Sequence, residues 1–187
     1  MPERAHFREI LEEGDLKGIM RHLLAVAVAV AALAVPCAGS FAAAQAGEPA
    51  LDGTRPLTDP LDCLARTIYF EAGGQSLIEM TAVGHVVMNR VRGSAFPDDV
   101  CAVIRQGGEA GPCQFSWWCD GRPDIATDRA EYNRSTGVAR DVLEGRVEDP
   151  TNGANMFHNL GASPSWAKVA EPRGRIGDQL FYFLDDR

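Results

Sequence analysis

Pro60-Leu61-Asp62-Cys63-Leu64-Ala65-Arg66-Thr67-Ile68-Tyr69-Phe70-Glu71-Ala72-Gly73-Gly74 is the stretch that decides the fold. Leu61, Leu64, Ala65, Ile68 and Tyr69 recur at helical spacing, which predicts a helix over 60–70 with a buried stripe. Asp59 is placed to cap it and Pro60 suits its first position, where a missing N–H costs nothing. The Gly73-Gly74 pair stops the helix and permits a tight turn and close approach of a ligand. Glu71 therefore stands at the helix C-terminus, where an anion is disfavoured by the dipole.

Downstream, Leu77, Met80, Val83, Val87 and Val91 form an inward stripe that predicts a second helix over 76–92, with Arg90 and Arg92 in its last turn complementing the dipole. Residues 98–105 read as a short third helix and 127–143 as a fourth, stopped by Gly145. Between them, 106–124 is rich in Gly, Cys, Trp and Pro, the composition of a loop carrying function on a rigid scaffold. The last third changes character. Segments 155–158, 167–169 and 179–184 are short and β-prone, separated by Gly, Pro and Ser. The expected fold class is α+β, helices first and then a small antiparallel sheet.

Upstream, Arg21-His22, an apolar run from Leu23 to Val35 and Ala42-Ala43-Ala44 have the order of a secretory signal. A membrane anchor needs roughly 20 apolar residues, and the run is shorter. Cys37 suggests lipid attachment, but Pro36 before it is a poor match to the small-residue rule. The expected organisation is an upstream extension over 1–19, a signal peptide over 20–44, a flexible lead-in over 45–59 and one domain over 60–187. Length supports a single domain, which usually holds roughly 100 to 200 residues. Translation starting at Met20 would leave 1–19 without a role. The expected location is outside the cytoplasm, most naturally the periplasm, with no stable membrane anchor after signal cleavage.

Residues 45–187 hold 14 Lys and Arg against 21 Asp and Glu, a balance of −7. That charge disfavours nucleic acid and anionic membranes as partners, since both need basic patches. Loss of the signal removes Cys37 and leaves Cys63, Cys101, Cys113 and Cys119. Four cysteines in an exported chain imply two disulfides with three possible connectivities. Cys113 to Cys119, closing a short loop, and Cys63 to Cys101, tying two helices, is the expected pairing. A zinc site usually shows cysteines two to four residues apart, and here the nearest pair is more widely spaced. Neither a metal nor a cofactor is expected.

Three groups of residues carry possible chemistry. Glu71 emerges from the apolar Ile68-Tyr69-Phe70, and desolvation raises a carboxyl pKa toward the range a general acid needs. The plainer alternative is a solvated glutamate at a helix end. In Cys113 to Gly121, Gln114, Phe115, Ser116, Trp117 and Asp120 combine aromatic faces with polar groups, as sugar rings require. The tryptophans could equally plug the core, whereas Gln114 and Ser116 fall on alternate positions of one face. His158, with Asn155, Asn159 and Trp166, forms a second polar-aromatic cluster suited to substrate contact. No Gly-x-Ser-x-Gly accompanies it.

The sequence resembles the SleB-type cell wall hydrolases over about Cys63 to Tyr182. The resemblance is carried by four ordered blocks. They are Ala65-Arg66-Thr67-Ile68-Tyr69-Phe70-Glu71-Ala72 with Ala82-Val83-Gly84-His85-Val86-Val87-Met88-Asn89-Arg90-Val91; Cys113-Gln114-Phe115-Ser116 to Asp120-Gly121; Pro164-Ser165-Trp166; and Arg175-Ile176-Gly177 to Phe181-Tyr182. It implies a lysozyme-like helical core with a small sheet, peptidoglycan glycan strands as substrate, and lytic transglycosylase or muramidase-like activity with Glu71 as catalyst. The family's usual Glu-Ala-Arg-Gly-Glu reads Glu71-Ala72-Gly73-Gly74-Gln75 here, and Gln179 stands where a histidine is usual. Ordinary glycosidases use two carboxylates, about 5 to 5.5 Å apart for retention or about 6.5 to 9.5 Å for inversion, and Asp120 or Asp124 could be the second beside Glu71, favouring simple hydrolysis.

Overall fold

A computed structural model describes residues 56–108 and 112–185. The expected extension and signal peptide, and the lead-in up to residue 55, lie outside the described residues. Helix α1 (Pro60–Ala72) begins where the Asp59 carboxylate accepts from Leu61 N at 3.1 Å. It is buried on almost all sides: Cys63, Leu64, Ala65 and Ile68 are enclosed, as are the polar Asp62, Arg66 and Thr67. A helix enclosed all round is the centre of its bundle. Its end is set by Gly73, whose N–H donates to the Tyr69 carbonyl at 3.0 Å.

Helices α2 (Leu77–Arg92), α3 (Val100–Ile104) and α4 (Arg129–Leu143) surround it. Glu79 opens α2 by accepting from both the backbone N–H and the hydroxyl of Ser76 at 3.0 and 2.6 Å. Gly84 lets α2 lie against its neighbours, for a Cβ there would meet Ile68 and Val142 at 3.3 and 3.2 Å. The Asp99 and Asp128 carboxylates cap α3 and α4, accepting from Ala102 N and Glu131 N at 2.8 and 3.0 Å. The disulfide Cys63–Cys101 joins α1 to α3 with Cα atoms 5.5 Å apart. Cys113–Cys119 closes the aromatic loop, and both expected pairings are therefore present.

Strands β1 (Met156–Asn159), β2 (Glu171–Ile176) and β3 (Gln179–Phe183) form an antiparallel sheet in the order β1-β3-β2. Phe181 on the central strand is enclosed with Ala82 and Val86 of α2 and with Ala154, so the sheet docks on the second helix. The expected fold class holds: a helical core, a small antiparallel sheet and two disulfides. One segment differs. Residues 167–169 belong to a 3-10 turn over Ser165–Lys168 and its end, not to a strand. Val169 is 78% exposed there, leaving its β-prone side chain nothing to pack against. The third strand is instead Glu171–Ile176, an edge strand with a bulge between Pro172 and Gly174.

Candidate active site

Glu71 lies in the last turn of α1, where the helix bundle meets the sheet. The Gln179 side-chain amide, at the start of β3, donates to the Glu71 carbonyl at 3.4 Å. Burial is the larger influence on the Glu71 carboxyl and pushes its pKa up to about 7, while Arg90 pulls the other way. A carboxyl poised there can hold a proton at neutral pH and also release it, which is what acid and base roles both need.

Arg90 was legible in the sequence only as a last-turn cation. The structure places it at 3% exposure. Its Nε donates to the Asn155 carbonyl at 2.7 Å, and its guanidinium lies over the Phe115 ring at 5.1 Å and the Phe96 ring at 5.5 Å. Burial lowers the Arg90 pKa to about 10, against the opposing effect of Glu71, so it remains a cation at neutral pH.

The residues of the disulfide-closed loop divide by alternation. Gln114, Ser116 and Asp120 are exposed. Phe115 is 1% exposed beneath Arg90, and Trp117 is enclosed, stacked on Phe70 with centroids 5.0 Å apart. Both rings are thus part of the packed core, and neither presents an open face to solvent as a sugar platform must. Trp117 acts on the site from behind, as the support under Phe70, the neighbour of Glu71.

On the sheet, His158 stacks on Tyr182 at 5.3 Å, and Trp166 meets both rings edge-on at 5.6 and 5.5 Å. His158 Nε2 lies 3.3 Å from the Tyr182 hydroxyl. The cluster is half-buried and so presents aromatic edges with polar tips. Tyr182 completes this cluster, and its alternation with buried Phe181 on β3 is the sequence signal for it.

Asp124 is pushed up by burial and then by Asp120, while Arg66 lowers it. Arg90 is the charged influence on Glu71. A cleft of about 340 Å³ lies beside the site, lined by Tyr69, Phe70, Gly73, Gly74, Asp128 and Glu131. It shares Phe70 with the site but does not include Glu71. Among the described residues, no group of three or more His, Cys, Asp or Glu is arranged to hold a metal ion. No helix among them is long and apolar enough to cross a membrane.

Comparison with known proteins places this geometry in a family. The chain is 30% identical over 122 residues to the spore cortex-lytic enzyme of Halalkalibacterium halodurans, which covers 65% of this chain and 34% of that protein. The chain thus spans about a third of that relative's length. The catalytic domain of the Bacillus cereus SleB protein superposes with a TM-score of 0.53 at 23% identity, over 66% of this chain and 88% of the other. That of the germination-specific lytic transglycosylase SleB from Bacillus anthracis gives 0.53 at 25% identity, over 66% and 93%. The family profile described as Cell Wall Hydrolase matches residues 74–182, beginning just beyond Glu71 and spanning the helix, loop and sheet that surround it. With a profile match over more than half its length, the chain belongs to the cell wall hydrolase family.

Proposed function

We propose that this chain is an exported enzyme that cleaves the glycan strands of peptidoglycan with Glu71 as its single acid and base, in the manner of a lytic transglycosylase. The observation that carries this reading is the Glu71 carboxyl itself, desolvated at a helix end and raised to about 7. Two further facts support it. The Bacillus anthracis neighbour is described as a lytic transglycosylase. The Cell Wall Hydrolase family to which the chain belongs is the other.

In the proposed reaction protonated Glu71 gives its proton to the glycosidic oxygen between the MurNAc and GlcNAc rings, and the C1–O bond breaks. The MurNAc C6 hydroxyl then attacks C1, its proton returns to the Glu71 carboxylate, and a 1,6-anhydro ring closes. Water is not consumed. One carboxyl suffices because it donates and then accepts. Gln114, Ser116 and Asp120 on the loop, and His158 and Trp166 on the sheet, are proposed to hold sugar hydroxyls and ring faces. Phe115 and Trp117 are proposed to act by packing. Disulfides persist in oxidising compartments, which supports a place outside the cytoplasm, the periplasm being the proposed one.

The test is digestion of purified sacculi followed by mass spectrometry of the released muropeptides. Anhydro-ended sugars are expected from the parent, and none from Glu71→Gln, which should still sediment with sacculi. Reducing ends would replace transglycosylation with hydrolysis. Continued cleavage by Glu71→Gln would remove the catalyst from this residue.

A further inference from the structure

The last carbonyls of a helix have no partner within it and are satisfied from outside. At the end of α1 the Tyr69 carbonyl is met by Gly73 N at 3.0 Å. Gln75 N, which helical geometry would send to the Glu71 carbonyl, donates instead to that of Ala72 at 3.1 Å. The donor that reaches the Glu71 carbonyl is the Gln179 side-chain amide, at 3.4 Å and 108 residues away in the chain. Gln179 is 4% exposed on the central strand, and its Oε1 is enclosed with no hydrogen-bond partner among the described residues. An apolar side chain would fill the same space without stranding an acceptor. What the amide supplies in return is its bond to the last turn of α1.

The backbone behind that amide is braced by three elements. Gln179 pairs with Asn159 of β1 and with Ile176 of β2. The adjoining Asp178 donates its N–H to the Glu79 carboxylate of α2 at 3.3 Å, and its carbonyl accepts from Leu160 N at 2.9 Å. Gln179 is thus a fixed post whose tip touches the turn that bears Glu71. The strand paired with it, β1, carries His158 beside Asn159, so the sugar-contacting ring and the post stand on neighbouring strands in fixed register.

We propose that Gln179 is a positioning residue for cleavage, which holds the Glu71 carbonyl to the start of β3 and thereby sets the last turn of α1 against the sugar-contacting face of the sheet. The proposal rests on Glu71 being the catalyst. Helix ends otherwise fray, and misplacing a catalytic group by about 1 Å can lower a rate on the order of 10²-fold. Because Gln179 is enclosed, substrate does not touch it, and its loss acts on turnover and not on binding.

Two measurements test this. In the intact parent, NMR is expected to show nuclear Overhauser contacts from the Gln179 side-chain amide protons to the protons of Glu71 and Ala72. Their absence overturns the proposal whatever the activity. In the second, kcat and KM on soluble glycan strands are compared for the parent, Gln179→Leu and Gln179→His. Gln179→Leu fills the space without a donor, and its kcat is expected to fall about 10- to 100-fold with KM near the parent's. Gln179→His, whose ring N–H can donate, is expected to recover most of that loss. A folded Gln179→Leu that keeps the parent's kcat, or that changes KM alone, overturns the proposal and leaves Glu71 as catalyst. Should Gln179→Leu not fold, the unbranched Gln179→Met, which also lacks the donor, takes its place. Cleavage that survives Glu71→Gln would sink the catalytic reading separately, without affecting the NMR contacts.

Discussion

The Tyr132 hydroxyl of α4 donates to the Asp62 carboxylate of α1 at 2.5 Å, and Arg66, one turn further along α1, grips the same carboxylate at 3.0 and 3.3 Å. All three side chains are buried. The interface between the two helices thus contains a polar knot within an apolar core, and the knot fixes their relative rotation.

Removing one member of that knot should be expensive. Tyr132→Phe is expected to cost about 1.5 to 3 kcal/mol, the loss of a hydrogen bond to a charged group. Asp62→Ala is expected to cost about 3 to 5 kcal/mol, since it removes one partner of a buried ion pair. Urea denaturation of the two variants checks the order. An Asp62→Ala no worse than Tyr132→Phe would mean the charge finds another outlet.

The raised pKa of the Glu71 carboxyl has a consequence for stability. Its folded pKa, about 7, lies above the ordinary 4.5, so folding favours the protonated form. That contribution is fully present below the unfolded pKa and is lost as pH rises through about 7. The full shift corresponds to up to about 3 kcal/mol. Denaturation of the parent and Glu71→Gln at pH 5 and pH 8 is expected to show a steeper decline for the parent, with the variant the more stable at pH 8.

The disulfides should matter unequally. Cys63–Cys101 spans 38 residues and Cys113–Cys119 only 6. Loop-closure entropy gives about 4 kcal/mol for the first and about 2 for the second. Paired Cys→Ser variants are expected to show the first as the larger loss in thermal melting. The second should appear chiefly as weaker sacculus binding, because it shapes the loop bearing Gln114, Ser116 and Asp120.

Glu79 ties the start of α2 to the β2–β3 turn, where its carboxylate also accepts from Asp178 N at 3.3 Å. The Ser76 hydroxyl, then the Ser76 N–H and lastly the Asp178 N–H hold its pKa below the usual carboxylate value. Gly177 in that turn has φ +55°, and a Cβ there would collide with the Glu79 carboxyl. Gly177→Ala is expected to cost about 1 to 3 kcal/mol through the left-handed backbone and, by shifting Gln179, to lower cleavage. Retention of full activity would show that the turn does not position Gln179.

The helices, the fold class and the cysteine pairing were legible in the sequence because each rests on local periodicity or simple arithmetic. The edge strand Glu171-Pro172-Arg173-Gly174-Arg175-Ile176 was not, since Pro and Gly are poor strand formers and its exposed, bulged course gives no alternation. Phe115 and Trp117 resemble a sugar platform in composition, and only their alternation with exposed Gln114 and Ser116 hints at their burial. Arg90 was the least legible. A guanidinium buried beneath two aromatic rings and one in solvent have the same one-letter signature, and the difference arises from the distant Asn155 carbonyl and Phe115 ring.

Glu71 is made early in the chain, but its surroundings are assembled late. Arg90 is anchored through Asn155, and Gln179 arrives with the final strand. The helices and the Cys63–Cys101 pair draw on the first part of the domain, and the contacts around Glu71 draw on the last. The environment of the proposed catalyst is therefore complete only once the sheet has closed onto the helices.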